Sequence, residues 1–194
     1  LGVDAIIMFS DILVPLEPMG SAVSFDSGKP EFKHPIRSRE DVASLQALSA
    51  KELETKCGFV YETITEIKSR IHNEVPVLGF AGAPWTLASY MIEGGGSKEF
   101  AEIKKFMYLE TSAMHSLLEK LSETISEYLI LKLKHGADAV QLFDTWASVL
   151  SQHDYQEFAL PYQQKIIANI RSAYPEASIT LYVNGVANVL DYMI

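Results

Sequence analysis

Four short apolar runs, separated by longer helical stretches, constrain the fold of this chain more than any other feature. They occupy residues 5–9, 75–82, 139–143 and 178–183. The first run, Ala5–Phe9, is rich in β-forming residues, which predicts a strand buried on both faces, as in a parallel sheet covered by helices. Strands that alternate with helices predict an α/β protein with a parallel sheet. An open doubly wound sheet and half of an eight-stranded β/α barrel both fit this order.

Helical periodicity and breakers organise the intervals between the runs. We expect helices over 58–73, 84–93, 98–108, 112–135 and 151–173, and a last helix that begins near Val186. Ser38 can cap a further short helix, and Pro161 should kink or restart the helix that contains it.

A long loop over residues 12–35 follows the first strand, because prolines and glycines are dense there. A hairpin is expected around residues 26–29. The sequence opens in a strand-like segment without a methionine and closes in a helix-like one. We therefore expect a single partial TIM-type barrel domain over 1–194, with about four β/α units and truncated at both ends, because the cut ends favour the barrel.

Composition limits the classes of partner. The net charge of −9 argues against a nucleic-acid surface, which needs a basic patch. No apolar run approaches the roughly 20 residues of a membrane-spanning helix, so no membrane partner is expected. The single cysteine, Cys57, suits a reducing compartment, and a cytoplasmic protein is expected.

Polar side chains follow three of the predicted strands. They are Asp11, Thr145 beside Asp144, and Asn184, while Tyr90 lies after the second strand. In a β/α barrel these groups face one mouth, and aromatic residues nearby would complete a small-molecule pocket. A lone aspartate after a strand is more often a turn or cap residue, so Asp11 carries little weight by itself.

Longer stretches of the sequence resemble a known family. They are FSDILV at 9–14, HPIRSREDVASL at 34–45, GFAGAPWTLASYMIEGGGSKEF at 79–100, AVQLFDTW at 139–146 and FALPYQQKI at 158–166. Together they resemble the uroporphyrinogen decarboxylase family over essentially the whole chain. The resemblance implies a β/α-barrel homodimer that converts uroporphyrinogen III to coproporphyrinogen III, in haem biosynthesis, by removing four acetate carboxyl groups without a metal or organic cofactor.

The resemblance also implies roles for four residues. Asp11 matches the essential aspartate that binds the pyrrole N–H groups, and Tyr90 and Thr145 match residues near the reacting acetate. Phe80 matches an aromatic wall of the cleft. The family's arginine-rich N-terminal segment and the second half of the barrel have no counterpart here, so the chain alone is expected to be inactive, with open sheet edges that pair or aggregate.

Two alternatives remain open at this stage. One is a zinc-dependent corrinoid or coenzyme M methyltransferase of the same superfamily, which needs a Cys/His site that activates a thiol. The other is a barrel-derived binding or scaffold module without catalysis. Such a module would be expected to lose the polar strand ends, and Asp11, Tyr90 and Thr145 are all present.

Overall fold

The computed structural model describes residues 2–185 and 189–193. Its strands are β1 (Ile6–Ile7), β2 (Val23–Ser24), β3 (Glu31–Phe32), β4 (Val77–Gly82), β5 (Ala139–Asp144) and β6 (Ser178–Val183). Its α-helices are α1 (Arg39–Ser44), α2 (Ala50–Lys56), α3 (Gly58–Ile71), α4 (Pro84–Glu93), α5 (Ala101–Leu109), α6 (Thr111–Lys134), α7 (Gln152–Phe158) and α8 (Leu160–Ala173). The order of strands and helices confirms an α/β protein.

Four of the strands form one parallel sheet in the order β1-β4-β5-β6. Helix α6 covers one face of this sheet, where it packs against β4, α4 and α8. Its apolar stripe, from Met114 to Leu131, is buried. The hydrophobic core therefore lies between the sheet and the helices, as expected when parallel strands are joined by helical crossovers.

The opposite face of the sheet is open within the described residues. Ile7 and Phe9 on this face are 62% and 78% exposed, whereas Met8 between them is 4% exposed. The prediction that the first strand is buried on both faces is therefore wrong. Side chains alternate across a strand, and helices cover only the face that Met8 occupies.

The long loop after β1 contains the expected hairpin. Strands β2 and β3 pair in antiparallel fashion, with Val23 opposite Phe32. A bridge between Glu31 and Gly95 connects the hairpin to the glycine-rich segment after α4. The loop therefore folds back over the C-terminal side of the sheet.

Local chemistry explains most helix boundaries. Ser38 and Ser49 each form a capping box, at α1 and α2. The short helix α2 was not anticipated, although Ser49 and Glu52 carry the signature. Helix α5 begins at Ala101 and not at residue 98, because Phe100 has a left-handed backbone (φ 54°) and its N–H donates to Ser97 Oγ.

Pro161 marks the start of α8, immediately after α7 ends at Phe158. The restart predicted from this proline is confirmed, because proline is tolerated in the first turn of a helix. Val186, near which a last helix is predicted to begin, lies outside the described residues. Leu190–Tyr192 forms a single 3₁₀ turn. None of the helices within 2–185 and 189–193 has both the length and the apolar character that crossing a bilayer requires.

Candidate active site

The four candidate residues belong to the C-terminal side of the parallel sheet. Asp11 follows β1, Phe80 lies within β4, Tyr90 lies on the helix after β4, and Thr145 follows β5. Asn184 follows β6 and is exposed. Because parallel strands end at the same edge, these positions share one side of the sheet.

The Asp11 carboxylate is held by its own loop. Its Oδ1 accepts a hydrogen bond from the Leu13 N–H at 2.8 Å, and the Val14 N–H donates to the Asp11 carbonyl at 3.2 Å. Among the described residues, none donates to the second oxygen of Asp11. This turn fixes the direction of the carboxylate while leaving one oxygen free to accept donors from a ligand.

A row of aromatic rings crosses the open face of the sheet. The ring centroids of Phe9 and Phe80 are 6.0 Å apart, those of Phe80 and Phe143 are 5.5 Å apart, and those of Phe143 and Tyr182 are 5.6 Å apart. Phe80, Phe143 and Tyr182 lie on β4, β5 and β6, and Phe9 lies two residues after β1. The row presents an apolar surface whose end lies two residues before Asp11, and such a surface suits a large planar or folded aromatic ligand.

A fully buried lysine, Lys132 of α6, lies beside this row. Its Nζ donates to the Phe80 carbonyl at 2.6 Å and to Ser10 Oγ at 3.3 Å. It also lies 4.4 Å from the centroid of the Tyr128 ring. Burial lowers the pKa of Lys132 to about 7, while the neighbouring Cys57 acts in the opposite direction.

Tyr90 lies in a different aromatic cluster. Its ring meets Trp146 edge-on at 6.0 Å, and Trp146 also contacts Phe100 at 5.1 Å. Tyr90 and Trp146 line a groove of about 470 Å³ between the β2–β3 hairpin and the glycine-rich segment. Lys29 and Lys98 stand at this groove, and neither forms an ion pair with a described residue. The groove therefore combines an aromatic wall with two cations and with two carboxylate residues, Glu31 and Glu93.

Thr145 is positioned by a buried polar network centred on Asp144. The Asp144 carboxylate accepts from the Thr86 hydroxyl and from Gln163 Nε2, each at 2.7 Å. The same Thr86 oxygen accepts from the Trp146 N–H at 3.1 Å. Burial raises the pKa of Asp144 to about 6, against these two hydrogen bonds, which favour the ionised form. The network fixes the chain on both sides of Thr145.

The four candidates thus fall into two pairs. Asp11 and Phe80 are linked through Ser10 and Lys132, and Tyr90 is linked to the segment of Thr145 through Trp146. Asp11 lines a separate cavity of about 220 Å³, which also contains Phe25, Lys56 and Phe59. Asp11 and Tyr90 therefore line two different cavities.

Two residues that shape the site, Lys132 and Asp144, have surroundings that the sequence does not reveal. Lys132 lies in the last turn of α6, where a cation complements the helix dipole, yet its side chain is buried. The sequence contains one signal for this burial. Lys132 follows Tyr128 by four positions and therefore lies on the apolar face of the helix. Asp144 was noted as a polar strand end, but a sequence cannot show that Thr86 and Gln163 converge on it.

Over residues 2–185 and 189–193, no group of three His, Cys, Asp or Glu side chains lies close enough together to hold a metal ion.

Comparisons with known proteins bear on the whole chain. The family model described as Uroporphyrinogen decarboxylase (URO-D) matches residues 1–194. Proteins named uroporphyrinogen decarboxylase from Chlorobaculum parvum and Geotalea daltonii are 44% and 45% identical over 192 and 191 residues, which is 98% of this chain in both cases. These matches cover 54% and 55% of the relatives, so the chain spans about half of their length.

A solved structure supports the fold. A methyltransferase from Methanosarcina mazei matches with a TM-score of 0.78 and 21% sequence identity. The match covers 99% of this chain and 55% of that one. At this identity the match supports the architecture alone, and it agrees with the partial TIM-type barrel expected from the sequence.

Proposed function

Because this chain belongs to the uroporphyrinogen decarboxylase family, we propose that the full-length protein decarboxylates uroporphyrinogen III to coproporphyrinogen III in haem biosynthesis. The observation that carries this proposal is the aromatic row from Phe9 to Tyr182, whose end lies two residues before Asp11, a carboxylate with one oxygen that accepts no donor from the described residues. An apolar wall suits the macrocycle, and the carboxylate suits its N–H donors.

The proposed reaction repeats one step on each of four acetate groups. Protonation of a pyrrole carbon makes the ring cationic, and the bond between the methylene carbon and the carboxylate then breaks. Its electron pair moves into the ring as CO2 leaves, and a second proton converts the resulting exocyclic methylene to a methyl group. The ring carbon then loses the first proton, which restores the neutral pyrrole, so each acetate consumes one proton in total. The protonated ring itself accepts the electrons, so we propose that no metal or organic cofactor takes part.

Asp11 is the residue proposed to stabilise the cationic intermediate. A carboxylate accepts several pyrrole N–H groups at once, and its negative charge favours the developing positive charge in an apolar cleft. Phe80 would form the wall, while Tyr90 and Thr145 would contact the acetate that reacts. Lys29 and Lys98 are cations available at the groove beside Tyr90 for carboxylates of the substrate.

The family resemblance also supports two statements about the whole protein. We propose that it acts as a homodimer and that it is cytoplasmic. The free, buried thiol of Cys57 agrees with a reducing compartment.

The substitution Asp11→Asn tests the proposal in the full-length protein. The asparagine carbonyl still accepts the Leu13 N–H, so the turn is kept and only the charge is lost. We expect kcat for CO2 release from uroporphyrinogen III to fall by about 10²- to 10³-fold, as for other preorganised electrostatic groups.

A matched control and a chelator complete the experiment. Asp26→Asn also removes one charge from a loop carboxylate, here one that accepts the Ser24 hydroxyl on the exposed hairpin, and it should leave kcat unchanged. CO2 release should also persist in a strong metal chelator. A wild-type protein without decarboxylase activity would overturn the proposal, and an Asp11→Asn variant with a normal rate would remove Asp11 from it.

A further inference from the structure

Lys132 has no partner of opposite charge among the described residues, although its side chain is fully buried. A buried ammonium group is costly unless hydrogen bonds compensate for the loss of water. The compensation here comes from the Phe80 carbonyl, Ser10 Oγ and the face of the Tyr128 ring. All of these groups lie where β1 and β4 separate, next to Asp11.

The hydrogen-bond ladder between β1 and β4 shows what the lysine replaces. The Ile6 N–H donates to the Pro76 carbonyl at 2.9 Å, and the Met8 N–H donates to the Leu78 carbonyl at 3.1 Å. In a parallel ladder the next bond would join the Ser10 N–H to the Phe80 carbonyl. The structure makes no such bond over residues 2–185, and the Phe80 carbonyl accepts from Lys132 Nζ.

Lys132 therefore donates to the carbonyl that would otherwise accept the next backbone hydrogen bond between the two strands. Its ammonium group connects Phe80 of β4 to the side chain of Ser10, three residues after β1. The Ser10 oxygen is also 3.3 Å from the Tyr128 hydroxyl. Beyond this point the backbone turns away, and Asp11 enters its own hydrogen-bonded turn. The direction in which the backbone leaves the sheet after Ser10 therefore depends on the position of Ser10.

Gly79 leaves room for the aliphatic part of the Lys132 side chain. A Cβ atom at Gly79 would lie 3.0 Å from Lys132 Cδ and 3.2 Å from Lys132 Cβ. Any side chain at Gly79 would therefore push the lysine away from the gap between the two strands. The glycine and the lysine form one unit that leaves room for the ammonium group.

We propose that Lys132 is a positioning residue that holds the end of β1 against β4 and thereby sets the place of the Asp11 carboxylate in the cleft. This inference rests on the proposed function, because it assigns to Lys132 an effect exerted through Asp11. It predicts that the loss of Lys132 matters for the reaction only while Asp11 carries its charge.

A double-mutant cycle in the full-length protein tests the coupling. Lys132→Met keeps an unbranched apolar stem and removes the donors to Phe80 and Ser10. We expect kcat for decarboxylation to fall by about 10- to 100-fold with little change in KM, since small displacements of a reacting group have effects of this size. In an Asp11→Asn background the same substitution should lower kcat by less than about 2-fold.

Two further variants separate positioning from general damage. Lys120→Met is the matched control, because Lys120 lies on the same helix and also donates to carbonyl groups, those of Val42 and Leu45, but does not contact β1. It should leave kcat unchanged. Ser10→Ala removes only the hydroxyl, and we expect a smaller loss of kcat that also vanishes in the Asp11→Asn background.

Hydrogen exchange gives a readout that does not depend on activity. In Lys132→Met, backbone amides over residues 8–12 should exchange faster than in the wild type, whereas Lys120→Met should leave them unchanged. Equal effects of Lys132→Met in both Asp11 backgrounds, or unchanged exchange over 8–12, would overturn the inference. An inactive wild type would overturn the proposed function and, with it, the effect of Lys132 on the reaction. Hydrogen exchange would still decide whether Lys132 holds the strand end.

Discussion

At the scale of single residues, the C-terminal side of the sheet is built around buried ionisable groups. Asp144 supports the segment that carries Thr145, and Lys132 supports the segment that carries Asp11. Burial disfavours the charged form of both groups. It therefore raises the pKa of Asp144 and lowers the pKa of Lys132. Each group therefore links the stability of the protein to pH.

We expect Asp144 to make the wild type more stable, relative to Asp144→Asn, as the pH is lowered from about 7 to 4. The folded-state pKa is about 6 and the ordinary value is 3.8, so between these values the folded state binds a proton that the unfolded state has released. Stability attributable to this group therefore rises as the pH falls, by about 3 kcal/mol. Urea unfolding of both proteins across this range measures the difference.

The substitution Thr86→Val provides an internal check on this prediction. The Thr86 hydroxyl favours ionised Asp144, so its removal should move the rise in stability to a higher pH. A difference between wild type and Asp144→Asn that stays constant with pH would show that Asp144 does not titrate in this way.

At the scale of elements, the connection from β4 to α4 brings the site together. The Ala83 N–H donates to the Phe143 carbonyl of β5, and Pro84 then begins α4. Ile12, the neighbour of Asp11, packs against Gly82 at the end of β4. The connection therefore determines the spacing between the loop that carries Asp11 and the helix that carries Tyr90.

We expect Gly82→Ala to destabilise the protein by about 1–3 kcal/mol, as overpacking in a core does. The new Cβ would lie 2.8 Å from Leu87 Cδ2 and 3.3 Å from Ile12 Cβ, and Leu87 is fully buried. Gly96→Ala is the control, because a Cβ there meets no atom within 4 Å. Equal free energies of unfolding for the two variants in denaturant titrations would contradict the packing argument.

At the scale of the whole molecule, the parallel sheet of this chain has helices on one face and an open aromatic face. Ile7, Phe9 and Tyr182 are 62%, 78% and 42% exposed. The relatives extend to nearly twice the length of this chain, and in a complete β/α barrel this face would be the inner wall. Open sheet edges and exposed aromatic residues favour association.

We expect the 194-residue chain by itself to associate in a concentration-dependent way. Sedimentation velocity should show species larger than the 21.6 kDa monomer. The combined substitutions Ile7→Ser and Phe9→Ser should weaken the association, while Phe59→Ser should not, because Phe59 is similarly exposed (58%) but lies on α3. A chain that remains monomeric at all concentrations would contradict this expectation.

The amino-acid sequence by itself determined the order of elements and the segments that end at the site. Short β-rich runs, serine caps and prolines act over a few residues, so the strands, α1 and the restart at Pro161 followed from local patterns. The family also followed, because motifs such as FSDILV are specific. The roles of Asp11, Phe80, Tyr90 and Thr145 remain predictions, since they rest on the resemblance.

Only the tertiary structure decided which side chains are buried and what they contact. The sheet is open on one face, so Ile7 and Phe9 are exposed despite their apolar run. Lys132 is buried because α6 turns it toward the gap between β1 and β4, and Asp144 is buried because Thr86 and Gln163 reach it from two other helices. These contacts join residues far apart in the chain, and local patterns carry no information about such distances.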